Sequence, residues 1–363
     1  MSAPSDRLMY NSKEATALNP INQSLVDEVC QRAYSICVEY ENNASSLVAK
    51  LRGRLLGCLV SGAINPKAQR YISNQVTKYA ATDGGLERLA NIYIKHIIQR
   101  LRNKEDVMGL PPYDEIQDVL QAHRKEKVAK AQAYFASLNS AHESSSANQE
   151  QDLEQFEKTD RNSKEIPYVY QVLQEANYRC YITQWTDAHH IAMMKSEGKD
   201  LVELEIDEAA QPQIYVRGVH ILPQFTREEM HNVIDKLPGE EPLTLHGLWK
   251  DYLAVYLENL CGKHYYDAPN LLILEPDAGC MFNEMRLWLD HDTRPDTRVL
   301  HEDYYNVALD VPYFGSKTME KYPVSISLED GLLPAPPHIR AHACIARACA
   351  LSGFERYFEM MEK

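Results

Sequence analysis

The sequence predicts an α+β protein, on three observations. Apolar residues recur at helical spacing through the first 140 positions, a polar serine-rich stretch interrupts the chain near residue 150, and short strand-like segments alternate with helices beyond it. With 363 residues, 44% of them hydrophobic and 25% charged, the chain is long enough to bury one large core or two ordinary ones.

Helical periodicity runs from about Ile21 to Ser140, in segments such as Leu25-Val26-Val29-Ala33 and Leu89-Ile92-Ile94-Ile97-Ile98-Leu101, and predicts a helical domain over 20–140. Asn65-Pro66, Asp83-Gly84-Gly85 and Gly109-Leu-Pro-Pro112 break it into short-linked helices. Residues 141–163 are polar and poor in large apolar groups; they cannot offset ordering entropy by burial and read as an acidic linker. Past it, 164–363 read as a second domain. It opens with a helix over about 168–176 and strands at Tyr178–Thr183 and Gln213–Arg217. Helices follow over about 226–236 and 245–260, then a buried strand at Asn270–Leu274 and a turn at Glu275–Gly279. A helical or mixed segment at Met281–Leu289, strands near 304–311 and 324–328, and a last helix from about Pro337 to Met361 complete it.

Charge is uneven. Residues 1–140 carry 18 Lys+Arg against 14 Asp+Glu, and 141–363 carry 20 against 38, within a formal net of −14. An acidic second half argues against simple nucleic-acid binding through phosphate contacts. Lys50, Arg52 and Arg54, and Lys95, His96, Arg100, Arg102 and Lys104, form local basic clusters that could track phosphates or be solvated helix faces. No apolar run has the roughly 18–20 residues of a membrane span and the polar start lacks a secretory layout, so the expectation is an intracellular protein, cytoplasmic or nuclear, with no membrane partner. Eight scattered cysteines without a Cys-x-x-Cys pair argue against a zinc ribbon and a disulfide framework. Phosphate-binding Gly-x-x-x-x-Gly-Lys loops, dinucleotide Gly-x-Gly-x-x-Gly turns and Gly-x-Ser-x-Gly elbows are missing.

The order of the remaining pieces carries more. Cys180-Tyr-Ile-Thr183 is followed by Val219-His-Ile-Leu-Pro223, Trp249, Asn270-Leu-Leu-Ile-Leu-Glu-Pro-Asp277, Met281-Phe282 and Trp288; the chain closes with Leu333-Pro-Ala-Pro-Pro337 and Ala346-Arg-Ala-Cys-Ala-Leu-Ser-Gly353. Together they resemble the divergent fungal branch of the HNH nuclease family over residues 165–355. The resemblance implies a ββα-metal domain with helical additions, and a metal-dependent endonuclease, hydrolysing nucleic acid with Mg²⁺, Mn²⁺ or Zn²⁺, or its catalytically degenerate descendant. In that family a histidine at the end of the first strand takes a proton from water, a divalent cation stabilises charge on the scissile phosphate, and an asparagine holds the histidine or its loop. His220 matches the first role and Asn270 the last. The position matching the metal-binding histidine is Gly279, which has no donor; Asp277 and Asn283 are the nearest substitutes in sequence. His189-His190, His264 with Tyr265-Tyr266, and His291-Asp292 are competing candidates, each also readable as an ordinary turn or loop contact. The alternative is a non-catalytic module on a degenerate HNH scaffold, whose helical domain binds a protein partner.

Overall fold

The computed structural model describes residues 17–19, 25–102, 172–174, 176–201, 214–266, 268–291, 302–309, 322–327, 335–354 and 358. The proposed linker at 141–163 and the Gly109–Pro112 break lie outside these residues. The chain forms an α+β fold, helical in its first part, with short strands in small sheets later. It divides into two compact units that do not follow chain order: one joins 1–105 with 220–272 and 276–363, and the other joins 106–219 with 273–275.

In the first unit, α1 (Glu28–Asn43), α2 (Leu47–Ser61) and α3 (Pro66–Ala80) begin at Asp27, Ser46 and Asn65, whose side chains accept from the backbone N–H three residues on. Cys30, Ala33, Tyr34, Cys37 and Glu41 line the buried face of α1, one helical stripe. α4 (Gly85–Tyr93) runs into a π-helical turn at Ile94–Ile98 and a last turn at Gln99–Arg102. The carbonyl of His96 in that turn accepts from the Trp249 indole at 3.1 Å, a specific contact where π turns commonly sit.

Helix α5 of the described chain, Ala188–Ser196, belongs to the second unit and is capped by Asp187. Then come β1 (Arg217–His220), α6 (Arg227–Met230), β2 (Val233–Asp235), β3 (Leu243–Thr244) and α7 (Leu245–Leu253), followed by 3-10 turns between Leu257 and Asn270. β4 (Leu271–Leu274), α8 (Pro276–Asn283), β5 (Leu287–His291), β6 (Glu302–Leu309), β7 (Tyr322–Ser327) and α9 (Pro336–Ser352) complete the order. β1 neighbours β4 in a two-stranded sheet, β2 pairs antiparallel with β3, and β5-β6-β7 form an antiparallel sheet with Leu287 opposite Leu309 and Asp303 opposite Ile326.

Within the first unit α7 packs on α3, and α9 packs on α2 and β5. Trp249, Trp288, Tyr79, Tyr93, Tyr252, Phe225 and Phe282 are fully buried. The Tyr252 hydroxyl donates to the Leu59 carbonyl at 3.0 Å, and Tyr79 donates to Asp235, which also pairs with Arg88. The first helices and residues 220–272 therefore share one core. Seven cysteines are buried and Cys280 is exposed; all are free thiols.

Several sequence expectations are corrected. The expected strand at Tyr178–Thr183 is a tight reversal: Gln184 N–H donates to the Cys180 carbonyl, Cys180 N–H to the Trp185 carbonyl, and Asn177, Tyr178 and Gln184 take positive φ. Turn hydrogen bonds outweigh the strand propensity of its side chains. The strand expected from Gln213 begins at Arg217, and Ile214 forms only an isolated bridge to Asp187. The helix expected over 226–236 stops at Met230, because the Thr226–Glu229 capping box closes a single turn and Val233–Asp235 is taken by β3. α7 ends at Leu253, where Ala254 adopts φ 55°. The expected turn at 275–279 is instead the start of α8, with Pro276 and Asp277 in a first turn suited to both. α9 stops at Ser352, where Gly353 takes φ 68°.

Candidate functional site

His220 ends β1 and Asn270 immediately precedes β4, so the sheet brings the two family-matched residues to adjacent chain segments. Asn270 is 1% exposed. Its amide oxygen accepts from Leu222 N–H at 2.9 Å, and its amide nitrogen donates to the carbonyls of Leu222 and Tyr265, each at 3.1 Å. Its backbone carbonyl accepts from Ile221 N–H at 2.9 Å. One side chain thus ties the turn after His220 to the turn carrying Tyr265. The consequence is direct: the Tyr265 ring stacks on the His220 imidazole, centroids 4.0 Å apart at 22°. His220 itself is 3% exposed.

Two further histidines, not singled out in the sequence analysis, support this arrangement. His338 and His342 stand one turn apart on α9, both buried. His338 Nδ1 lies 3.1 Å from the Pro269 carbonyl, which also accepts from Ala335 N–H. Burial holds the His338 pKa below its ordinary value. His342 stacks on Phe282 of α8 at 3.7 Å, its Nε2 3.0 Å from the Phe282 carbonyl. The four-residue spacing was the available signal. α9 therefore grips both the Asn270 turn and α8.

The second half of the motif offers little chemistry. Gly279 is buried within α8, Asp277 is exposed in its first turn, and Asn283 is half-buried at its end. Among the described residues no group of three or more His, Cys, Asp or Glu could hold a metal ion. Asp277 is thus not joined to His220 in such a group, and the described histidines, cysteines and carboxylates do not fit the divalent cation that the family resemblance implies.

The competing candidates lie elsewhere. His189 and His190 open α5, where the Asp187 carboxylate accepts from both of their backbone N–H groups and from Val216 N–H. His190 is buried and stacked on Tyr178 at 4.0 Å; burial, with Lys199 nearby, lowers its pKa to about 4. His264 is exposed. The side chains of Tyr266 and His291, and Asp292 and Lys104 altogether, lie outside the described residues. The N-terminal basic clusters are largely engaged within the fold. Arg54 pairs with buried Glu41 and Arg52 with Glu87, each at 2.6 Å, and Arg100 pairs with Glu229 at 2.7 Å while lying over Phe225. Arg102 lies over Phe358. Lys50 and Lys95 remain exposed.

No protein-family model matches the chain, and no curated protein or solved structure matches it either. Among the described residues no helix is long and apolar enough to cross a membrane.

Proposed function

We propose that this chain is a non-catalytic interaction protein built on an HNH-nuclease-like strand, strand and helix unit, in which the His–Asn pair acts as a structural lock. The burial of His220 against Tyr265 carries this reading, because a general base must reach a water molecule beside its substrate. Gly279 at the position of the family's metal ligand supports it, since without a cation nothing at this place would balance the charge of a phosphodiester transition state. The pairing of Arg52, Arg54 and Arg100 with carboxylates of this chain favours a protein partner over nucleic acid, because these cations are already partly neutralised.

A second reading, a metal-dependent endonuclease with His220 as general base, draws on one observation. Asn270 grips the turn after His220 as an orienting asparagine would. Supercoiled plasmid incubated with the purified protein in Mg²⁺, Mn²⁺, Zn²⁺ or chelator separates the two. The interaction reading expects no nicking under any condition; metal-dependent nicking that disappears in His220→Ala would overturn it.

A further inference from the structure

The groove between α1 and α2 holds a feature that the His220 site does not use. Residues 17–19 cross it with only Leu18 inserted: Leu18 is 8% exposed, while Ala17 and Asn19 on either side are exposed. The Leu18 backbone N–H donates to Glu41 Oε2 at 3.0 Å. Glu41, itself 4% exposed, is held from its other oxygen by Arg54 Nε at 2.6 Å. A buried carboxylate is costly unless paired and hydrogen-bonded, and here an amide donor from the crossing segment completes its set.

Two glycines one turn apart on α2 shape the space. A Cβ at Gly53 would lie 3.1 Å from the Glu41 backbone nitrogen and from the Tyr40 ring, so its absence lets α1 approach and lowers Glu41 into the groove. A Cβ at Gly57 would meet both Leu18 methyl groups, 2.8 Å from Cδ2, and its three nearest atoms all belong to Leu18. Glycine weakens a helix interior relative to alanine, so a glycine whose vacant Cβ space is filled by one foreign side chain has a packing reason to be there.

We propose that this groove is a docking site for an extended, leucine-bearing peptide, occupied here in cis by the chain's own residues 17–19. The recognised chemistry is one branched apolar side chain in the Gly57 socket and one backbone N–H on Glu41. The site is independent of whether His220 acts on a substrate.

Hydrogen exchange on the full-length protein tests the cis contact. The Leu18 amide is slow in the wild type, and Gly57→Leu, which fills the socket from within while favouring the helix, accelerates it by about tenfold or more as its hydrogen bond is lost. An unchanged Leu18 exchange rate in a folded Gly57→Leu protein overturns the proposal. The trans arm uses a fluorescent peptide of residues 11–24. It binds the full-length Leu18→Ala protein saturably, and about tenfold or more weaker to the wild type, where the tethered segment competes, and to Leu18→Ala/Gly57→Leu. Absence of saturable binding to Leu18→Ala, or equal binding to all three, contradicts a docking site. If Gly57→Leu does not fold, Gly57→Ala gives the same readouts with the helix strengthened.

Discussion

The two halves of the segment order that resembles the HNH family are built to different standards. Around β1 and Asn270 every recognisable part is present and fixed: three side-chain hydrogen bonds on Asn270, a stacked Tyr265–His220 pair, and His338 on the neighbouring carbonyl. Along α8, Phe282 is locked by His342, while the position that the resemblance matches to a metal-binding histidine is Gly279 and Asp277 is exposed. The difference teaches that the fixed half is the half the core needs.

Breaking the first half has the largest expected effect. Asn270→Ala leaves Leu222 N–H and two carbonyls without buried partners, and should cost about 3–5 kcal/mol in urea unfolding. A loss below about 1 kcal/mol would mean that the turns hold without it.

His220→Ala removes a buried, stacked ring and should cost about 2–3 kcal/mol, whereas His220→Phe, which keeps the stack and discards the proton chemistry, should recover most of it. Equal destabilisation by both would show that the imidazole nitrogens matter more than the ring.

Acid should loosen the same half. The His338 pKa is lowered in the folded state, so the unfolded chain takes up a proton first as pH falls; stability is full above the unfolded value of about 6.5 and declines below it. The urea midpoint, followed from pH 7.5 to 5, should fall less steeply for His338→Asn, which cannot titrate. His96 and His190, each lowered to about 4 chiefly by burial, add to the same direction.

Asp277→Ala should be the mildest change, under about 1 kcal/mol, because Asp277 is exposed in the first turn of α8 and surface substitutions cost little. A melting curve that loses a metal response on this substitution would restore Asp277 as a ligand.

Much of this was legible in the chain. The Asn65-Pro66 break before α3 and the buried Leu271–Leu274 strand follow from local pattern, and the pairing of His220 with Asn270 from the family resemblance. The 178–183 reversal was not, because aromatic and β-branched residues there mimic a strand while the turn depends on positive φ at Asn177, Tyr178 and Gln184. Nor was the shared core, since Tyr252 reaching Leu59 and Arg100 reaching Glu229 are pairings across more than a hundred residues that no local period encodes. His338 and His342 were not singled out because a histidine bonded to a buried carbonyl has the same letter as one facing water.

Metal-dependent stabilisation tests the central claim most directly, because a ligand that binds only the native state must raise its melting temperature. With Mn²⁺ or Zn²⁺ against chelator, the structural-lock account predicts no shift that depends on His220. A rise with either ion that vanishes in His220→Phe would contradict it, and would place a metal centre at the end of β1.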